Sequence, residues 1–279
     1  MTVINTNTAA TLTANALAKN ERAMATSMER LSTGLRINSA GDDAAGLAIS
    51  SRMTSQINGL NQAVRNANDA ISMVQTADGA LIEVTSMLQR MREIAVQGAS
   101  GTNTGTNDMA ALNTEYEALR DEVFQIVDDT QWNGATLLDG NVAAAGDQTV
   151  DFHVGANASQ TVTIDFGDFE TGSFGTFTAA HDIDAAGEAN TAIGIIDTAL
   201  TTVNSKRAVF GAAINRLEYT ADNLANVSQN TSASRSRILD ADYASETTEL
   251  ARTQIIQQAG TAMLSQANQQ AQSVLALLK

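Results

Sequence analysis

The sequence predicts a mainly α fold: a long, coiled-coil-like helical rod with a small β-hairpin region in the middle of the chain. Three observations predict it. No aromatic residue occurs before Tyr116 or after Tyr243, the 279 residues include no Pro and no Cys, and apolar residues recur at a 3-4 spacing. Because helices built of small residues bury little apolar area, we expect the two ends of the chain to need partners.

The clearest 3-4 spacing predicts a helix from about Ala44 to Gln97, which would be roughly 80 Å long at 1.5 Å per residue. Its apolar seam slips once, at Ala77. Two more such stretches predict helices at about 107–128 and 190–232 that pack with the first. The residues of the first seam are Met53, Ile57, Leu60, Val64, Ala67, Ile71, Val74, Leu81, Val84, Leu88, Met91 and Ala95.

Turn-forming residues and period-two alternation separate these helices. A loop at 38–43 ends in Asp42 and Asp43, which are suited to cap the helix that follows. Alternation at 149–154 and 161–166 predicts a β-hairpin, and residues 167–190, rich in Gly, Thr and Asp, predict a small exposed lobe. The resulting organisation is 1–40, an N-terminal helix; 41–130, a helical region; 131–189, the hairpin and lobe; 190–235, a returning helical region; and 236–279, a C-terminal helix.

The charge of the chain is concentrated in its middle. Residues 66–190 contain 3 Lys and Arg against 20 Asp and Glu, whereas the net charge of the whole chain is −15. Clustered cations are needed to neutralise phosphates, so nucleic-acid binding is excluded. No apolar run is long enough for a membrane span or a secretory signal. We therefore expect no membrane partner, and no cleaved signal peptide if the chain is exported.

The sequence offers few residues for chemistry. Its two histidines, His153 and His181, have no accompanying nucleophile or third ligand, and no hydrolase or nucleotide-binding motif is present. Asp165, Asp168 and Glu170 could hold a hard cation, but their spacing fits an acidic turn better than a calcium loop. We predict no enzyme activity, no cofactor and no metal site.

The terminal helices instead favour contacts with other copies of the chain. They lack aromatic residues and carry Ala, Gln, Ser and Asn on most faces around one apolar stripe each. Such a stripe is buried only when the helix finds a partner. The residues predicted to mediate self-assembly are Leu17, Met24, Met28, Leu31, Leu35, Ile255, Ala259, Met263, Ala267, Val274 and Leu278.

Long segments at both ends closely resemble the bacterial flagellins, the subunits of the flagellar filament. The resemblance covers about residues 1–140 and 190–279. The matching segments are Val3–Asn7, Glu29–Ala40, Asp42–Gly46, Leu88–Gln97, Ser234–Ile238, Asp240–Ala244, Gln257–Gly260 and Leu277–Leu278.

This resemblance implies a structural, self-assembling protein that works outside the cell in the bacterial flagellum. It implies that segments at about 2–35 and 241–279 pair when the filament forms. The partners it implies are further copies of the chain, an export chaperone, the filament cap and the hook junction proteins. Only about 50 residues, from about 140 to the returning helix at 190, are available for the hairpin and anything beyond it, so we expect no large outer domain.

The resemblance also implies contact with the vertebrate innate-immune flagellin receptor through Leu88, Gln89, Arg90 and Ile94, with Ile94 standing where strong binders carry Leu. Three alternatives to a flagellin are considered. A hook–filament junction protein has similar ends, and the signalling hairpin of a chemotaxis receptor is also helical and poor in aromatics. An enzyme embedded in the middle of the chain is the most distant.

Overall fold

A computed structural model describes residues 7–100, 106–142, 147–170, 183 and 185–276. Within these residues the fold is mainly α, with two short antiparallel strand pairs, as predicted. None of the described helices is long and apolar enough to cross a membrane. In chain order the elements are α1 (Thr8–Thr33), α2 (Ala44–Gly98), α3 (Thr106–Asp129), β1 (Gln131–Trp132), β2 (Ala135–Thr136), β3 (Thr149–His153), β4 (Thr161–Asp165), α4 (Ala186–Leu239) and α5 (Tyr243–Ala276).

Helix α4 extends further than its predicted range of 190–232. It continues to Leu239 because no Gly or Pro interrupts residues 233–239. Its last carbonyl groups find partners outside the helix: the Arg36 guanidinium donates to the carbonyl oxygens of Arg237 and Ile238. A cation at the C-terminus of a helix also interacts favourably with the helix dipole.

The predicted hairpin is confirmed, with β3 and β4 paired antiparallel from Thr149↔Asp165 to His153↔Thr161. A second, two-pair hairpin joins β1 to β2. Asn133 and Gly134 form its turn, with φ of 51° and 84°. Both values are positive, as a two-residue hairpin of type I′ requires. Most of the predicted lobe, 171–182 and 184, lies outside the described residues.

The two aspartates before α2 accept hydrogen bonds from different segments, which corrects the prediction that both cap the helix. Asp43 does so: its Oδ1 accepts from the Gly46 backbone N–H (2.9 Å). Asp42 turns back instead and accepts from the backbone N–H groups of Asn38 and Ser39 (3.1 and 2.9 Å). These hydrogen bonds from Ser39 and Asn38 lower the pKa of Asp42.

The chain divides into two units. We call residues 56–228 the central unit and residues 1–55 with 229–279 the terminal unit. In the central unit, α2, α3, α4 and both hairpins share an apolar core, in which Phe166 and Phe210 lie 5.6 Å apart between ring centroids. Ion pairs join the helices around it, including Arg92–Asp197 (2.7 Å) and Arg207–Asp78 (2.8 Å).

The buried seam of α2 follows an unbroken heptad, which corrects the predicted slip at Ala77. Ala63 and Ala70 occupy the seam positions, and their larger neighbours Val64 and Ile71 are only half-buried. With these two alanines in the seam, Ala77 falls in register. From Leu60 onward the buried residues of the heptad seam are Leu60, Ala63, Ala67, Ala70, Val74, Ala77, Leu81, Val84, Leu88, Met91 and Ala95; Ile57, also buried, precedes this register.

Candidate functional site

Helices α1 and α5 of the terminal unit form an antiparallel pair. Three hydrogen bonds mark its length: Asn7 Nδ2 donates to the Ala267 carbonyl oxygen (3.1 Å), Asn20 Nδ2 to that of Thr253 (2.8 Å), and the Tyr243 hydroxyl to that of Leu31 (3.1 Å). The Cα atoms of the two helices come within 8 Å of each other, and in the described part of the chain no other helix pair runs so close along its length.

Small side chains explain this close approach. Gly260 lies in the pair, and a Cβ atom placed on it would be 3.3 Å from Leu17 Cδ1. Among the described side chains of the pair, those that are buried are polar: Asn20, Ser27 and Thr253. Asn20 and Thr253 donate to backbone carbonyls: Asn20 Nδ2 to that of Thr253, and the Thr253 hydroxyl to those of Glu249 and Leu250 (2.9 Å each). The seam between α1 and α5 is therefore marked by hydrogen bonds rather than by buried apolar side chains.

One end of this seam holds a partly buried ion pair. Arg30 Nη1 lies 3.0 Å from Glu246 Oε1, and the two side chains are 29% and 13% exposed. Arg30 Nε is buried without a hydrogen-bond partner. Beside the pair, α1 and α5 leave a groove of about 540 Å³ that is also lined by Thr26, Ser27 and Glu249. The pair fixes the relative position of the helices in the first turn of α5.

Two connections hold the α1–α5 pair beside the end of α4. Helix α1 ends at Gly34, whose φ of 72° is left-handed and whose N–H donates to the Arg30 carbonyl oxygen. Leu35 and Asp240 then form an isolated antiparallel bridge. It is continued by the Arg36 N–H to the Leu239 carbonyl oxygen (2.7 Å). The two loops are thus joined to each other.

The structure divides the residues predicted for self-assembly into two groups. In α1 and the loop after it, Leu17, Met24, Leu31 and Leu35 are half-buried, whereas Met28 is 56% exposed. In α5, Ala267 is half-buried and Ala259 is exposed. Two large α5 residues stand in solvent: Ile255 is 67% exposed and Met263 is 62% exposed. The side chain of Val274 and all of Leu278 lie outside the described residues.

Some exposed apolar residues of the terminal unit are not among the residues predicted for self-assembly. Leu12 is 74% exposed, and Tyr243 is 60% exposed although its hydroxyl is bonded. Ile256, beside the predicted Ile255, is 43% exposed. These residues fall outside a single helical stripe, so a spacing rule could not find them.

The segment that resembles a receptor contact lies on α2 in the central unit. Leu88 and Ile94 are buried in the core, with 0% and 1% of their surface exposed, whereas Gln89 and Arg90 are exposed. Arg90 pairs with Glu115 (2.7 Å) and with Glu93 (3.0 Å). Hydrogen bonds from Arg90 to Glu115 and Glu93 raise the pKa of its guanidinium. Only two of the four side chains therefore face solvent.

The residues considered for chemistry do not come together. His153 is exposed on β3, and its carbonyl oxygen accepts from Asn66 Nδ2 (2.9 Å). His181 lies outside the described residues. Asp165 pairs with Lys206 Nζ (2.6 Å), which gives it a structural role. Among the described residues, no group of three His, Asp or Glu side chains is placed to hold a metal ion.

Comparison with known proteins agrees with this architecture. The family model of the bacterial flagellin N-terminal helical region matches residues 4–143. The model of the bacterial flagellin C-terminal helical region matches residues 193–278. These ranges contain α1, α2 and α3 at one end and α5 at the other, so they include both helices of the pair.

The chain is 51% identical to a flagellin of Halalkalibacterium halodurans over 90% of each chain, and 42% identical to a flagellin of Bacillus subtilis over 99% of each. The crystal structure of Bacillus cereus flagellin is similar with a TM-score of 0.50 and 32% identity, covering 57% of this chain and 88% of that one. None of these relatives favours the hook–filament junction protein. The chain therefore belongs to the bacterial flagellin family and is a structural subunit of the flagellar filament.

Proposed function

We propose that the α1–α5 pair is the surface through which copies of this chain polymerise. The observation that carries the proposal is the composition of the terminal unit. Among its described residues, Ile37 is the one buried apolar side chain. Leu12, Met28, Ile255 and Met263 are each more than half exposed. A unit with this distribution lacks a core of its own and gains one by association.

The energy available from association is substantial. Fully burying one large apolar side chain contributes about 1.5–3 kcal/mol. Leu12, Ile255 and Met263 alone could therefore contribute several kcal/mol per subunit, before the cost of ordering is subtracted. Repetition along a filament multiplies this gain, because each copy meets more than one neighbour.

Charge also supports packing of identical copies through this unit. The described terminal helices carry charges of both signs. Glu21 and Arg22 are adjacent on α1, and Arg252 pairs with Glu249 on α5 (3.3 Å). The central unit contributes most of the acidic excess of the chain. Identical surfaces approach each other without strong repulsion only where their net charge is small.

The resemblance extends the proposal to other partners. Before export, the same exposed stripe of α5 would be shielded by a cytoplasmic chaperone, and the chain would leave the cell without a cleaved signal. A cap protein at the tip and junction proteins at the base would meet the growing filament. For the innate-immune receptor, Gln89 and Arg90 are the two side chains of the segment that offer accessible polar atoms. Each of these partners remains a proposal.

A pair of substitutions on α5 tests the assembly surface. We expect Ile255→Ser with Met263→Ser to stop elongation from filament seeds while the monomer keeps its helix content, since both side chains are exposed before assembly. Gln254→Ser is the matched control, because Gln254 is exposed on another face of the same helix. Light scattering and electron microscopy of seeded protein measure the elongation.

Unimpaired elongation of the double variant would contradict the proposed surface. Elongation of the unaltered protein that stops after a short zone would instead favour the junction-protein alternative. A loss of helix content in the double variant would show that the two residues support the monomer itself.

A further inference from the structure

The chain contains two Asn-Gly dipeptides, Asn58-Gly59 and Asn133-Gly134. In this dipeptide the backbone nitrogen of Gly can attack the side-chain amide of Asn, because Gly has no side chain to obstruct the approach. The reaction requires an accessible amide and a backbone free to change conformation. Asn58 and Asn133 are both exposed, so the two dipeptides of this chain differ in the second respect, the freedom of the backbone.

Asn58-Gly59 lies inside α2, between Ala44 and Gly98. There the backbone nitrogen of Gly59 belongs to the helical hydrogen-bond ladder, and its φ and ψ are held by the turns on both sides. The Cβ position of Gly59 also lies 3.4 Å from Ala156, so the helix is packed at this point. Attack on the Asn58 side chain would require the helix to open.

Asn133-Gly134 forms the turn between β1 and β2. Both residues are exposed, and the hairpin has only two residue pairs, Gln131↔Thr136 and Trp132↔Ala135. A two-stranded hairpin so short is marginal by itself, and local opening of such an element costs little. Asn133 also holds a positive φ of 51°, a conformation that non-glycine residues adopt uncommonly.

We propose that Asn133 is a site of spontaneous deamidation in the folded protein. The Gly134 backbone nitrogen forms a bond to Cγ of Asn133, and the side-chain nitrogen leaves as ammonia. Water then opens the resulting succinimide at either carbonyl, giving an aspartyl or an isoaspartyl residue at 133. The only co-reactant is water, and the fold protects Asn58 from the same chemistry.

The isoaspartyl product would alter the hairpin. It places an additional methylene group in the backbone of a turn that has only two residues, so the pairing of Trp132 with Ala135 loses its geometry. Trp132 is the single tryptophan of the chain and packs against the core of the central unit. Its fluorescence therefore reports the change from inside the same hairpin.

Peptide mapping by mass spectrometry tests the proposal on the full-length monomer incubated at neutral pH. We expect the Asn133 peptide to deamidate several-fold faster than the Asn58 peptide of the same molecules. Enzymatic methylation specific for isoaspartate should label the Asn133 peptide, and Trp132 fluorescence should change with the same time course. In Asn133→Gln, whose longer side chain cyclises slowly, both signals should be lost while Asn58 behaves as before.

Incubation in denaturant separates the effect of the fold from that of the local sequence. There the two dipeptides should react at similar rates, because neither is held by structure. Equal or faster reaction at Asn58 in the folded protein would overturn the proposal. So would a difference between the two sites that persists unchanged in denaturant, because the fold would then play no part.

Discussion

The central and terminal units of this protein bury different kinds of side chain. The core of the central unit contains large apolar residues such as Phe166, Phe210 and Leu81, all with no exposed surface. The described terminal unit buries Asn20, Ser27, Ser50 and Thr253 along with Ile37. The central unit is therefore held together by a large apolar core, whereas the described terminal unit pairs two helices through polar side chains and leaves apolar side chains exposed.

Exposed apolar residues show the same division. Among the described residues, seven large apolar side chains are exposed in the terminal unit and four in the longer central unit. The seven are Leu12, Met28, Ile49, Tyr243, Ile255, Ile256 and Met263, and the four are Ile82, Val96, Val209 and Tyr219. Exposed apolar surface concentrated in one region of a protein is typical of an interface.

The largest effect should come from the central core. Leu81→Ala should lower the free energy of unfolding by about 2–5 kcal/mol, because it removes a fully buried side chain and leaves a cavity. Chemical denaturation followed by circular dichroism measures this change. Ile82→Ala is the control within the same helix, since Ile82 is 43% exposed.

The same experiment on Ile255→Ala gives the other side of the comparison. We expect its monomer to unfold at the midpoint of the unaltered protein, because Ile255 is 67% exposed. A large destabilisation by Ile255→Ala, or none by Leu81→Ala, would break the distinction between the two units.

The next largest effect should come from the ion pair at the end of the seam. Arg30→Met removes the partner of Glu246, whose side chain is 13% exposed, and should cost about 1.5–3 kcal/mol of helix pairing. Hydrogen exchange of the amides in the first turns of α5 measures the loss. Arg30→Met with Glu246→Leu should recover part of it, because no unpaired charge remains. If helix pairing were weaker in the double variant than in Arg30→Met, the unpaired charge of Glu246 would not be the cause of the loss.

A smaller effect is expected at the buried amide of the seam. Asn20→Ala removes the hydrogen bond to the Thr253 carbonyl oxygen and should weaken pairing by about 0.5–1.5 kcal/mol. Hydrogen exchange around Thr253 should accelerate accordingly. Asn15→Ala is the matched control, since Asn15 is exposed on the same helix. If hydrogen exchange around Thr253 were the same in both variants, the Asn20 hydrogen bond would not contribute to helix pairing.

The smallest effect should be the response of the loop before α2 to acid. Hydrogen bonds from the Ser39 and Asn38 N–H groups lower the pKa of Asp42 from 3.8. The stabilisation is therefore present above pH 3.8 and is lost as the pH falls through the lower pKa of the folded state. Exchange of the Ser39 amide should accelerate over that acid range in the unaltered protein. In Asp42→Asn the acceleration should be absent, and a persistent one would mean that another group titrates.

Much of the central unit could be predicted from the sequence because its elements are locally determined. The spacing of Leu112, Tyr116 and Val123 fits the buried face of α3, and alternation defined β3 and β4 to within a residue. The resemblance to flagellins rested on long segments and is confirmed by the family models. What failed was the assumption that larger residues occupy the seam of α2. Ala63 and Ala70 lie there instead, with 1% and 0% of their surface exposed.

The α1–α5 seam could not be predicted by the same rules. Asn20 bonds to Thr253, 233 residues away, and Thr253 bonds within its own helix, so no apolar spacing marks either of them. The ion pair of Arg30 and Glu246 likewise depends on pairing across 216 residues. Hydrogen bonds that close such distances leave no local signal, so only the folded chain reveals them.

The bond between Asn7 and Ala267 spans 260 positions of the chain. During translation the partner of α1 is therefore synthesised last, after the central unit has been synthesised. Pairing of such high contact order is slow compared with helix formation inside the central unit. In the nascent chain α1 is therefore present without α5. The antiparallel pair of α1 and α5 can form only when synthesis is nearly complete.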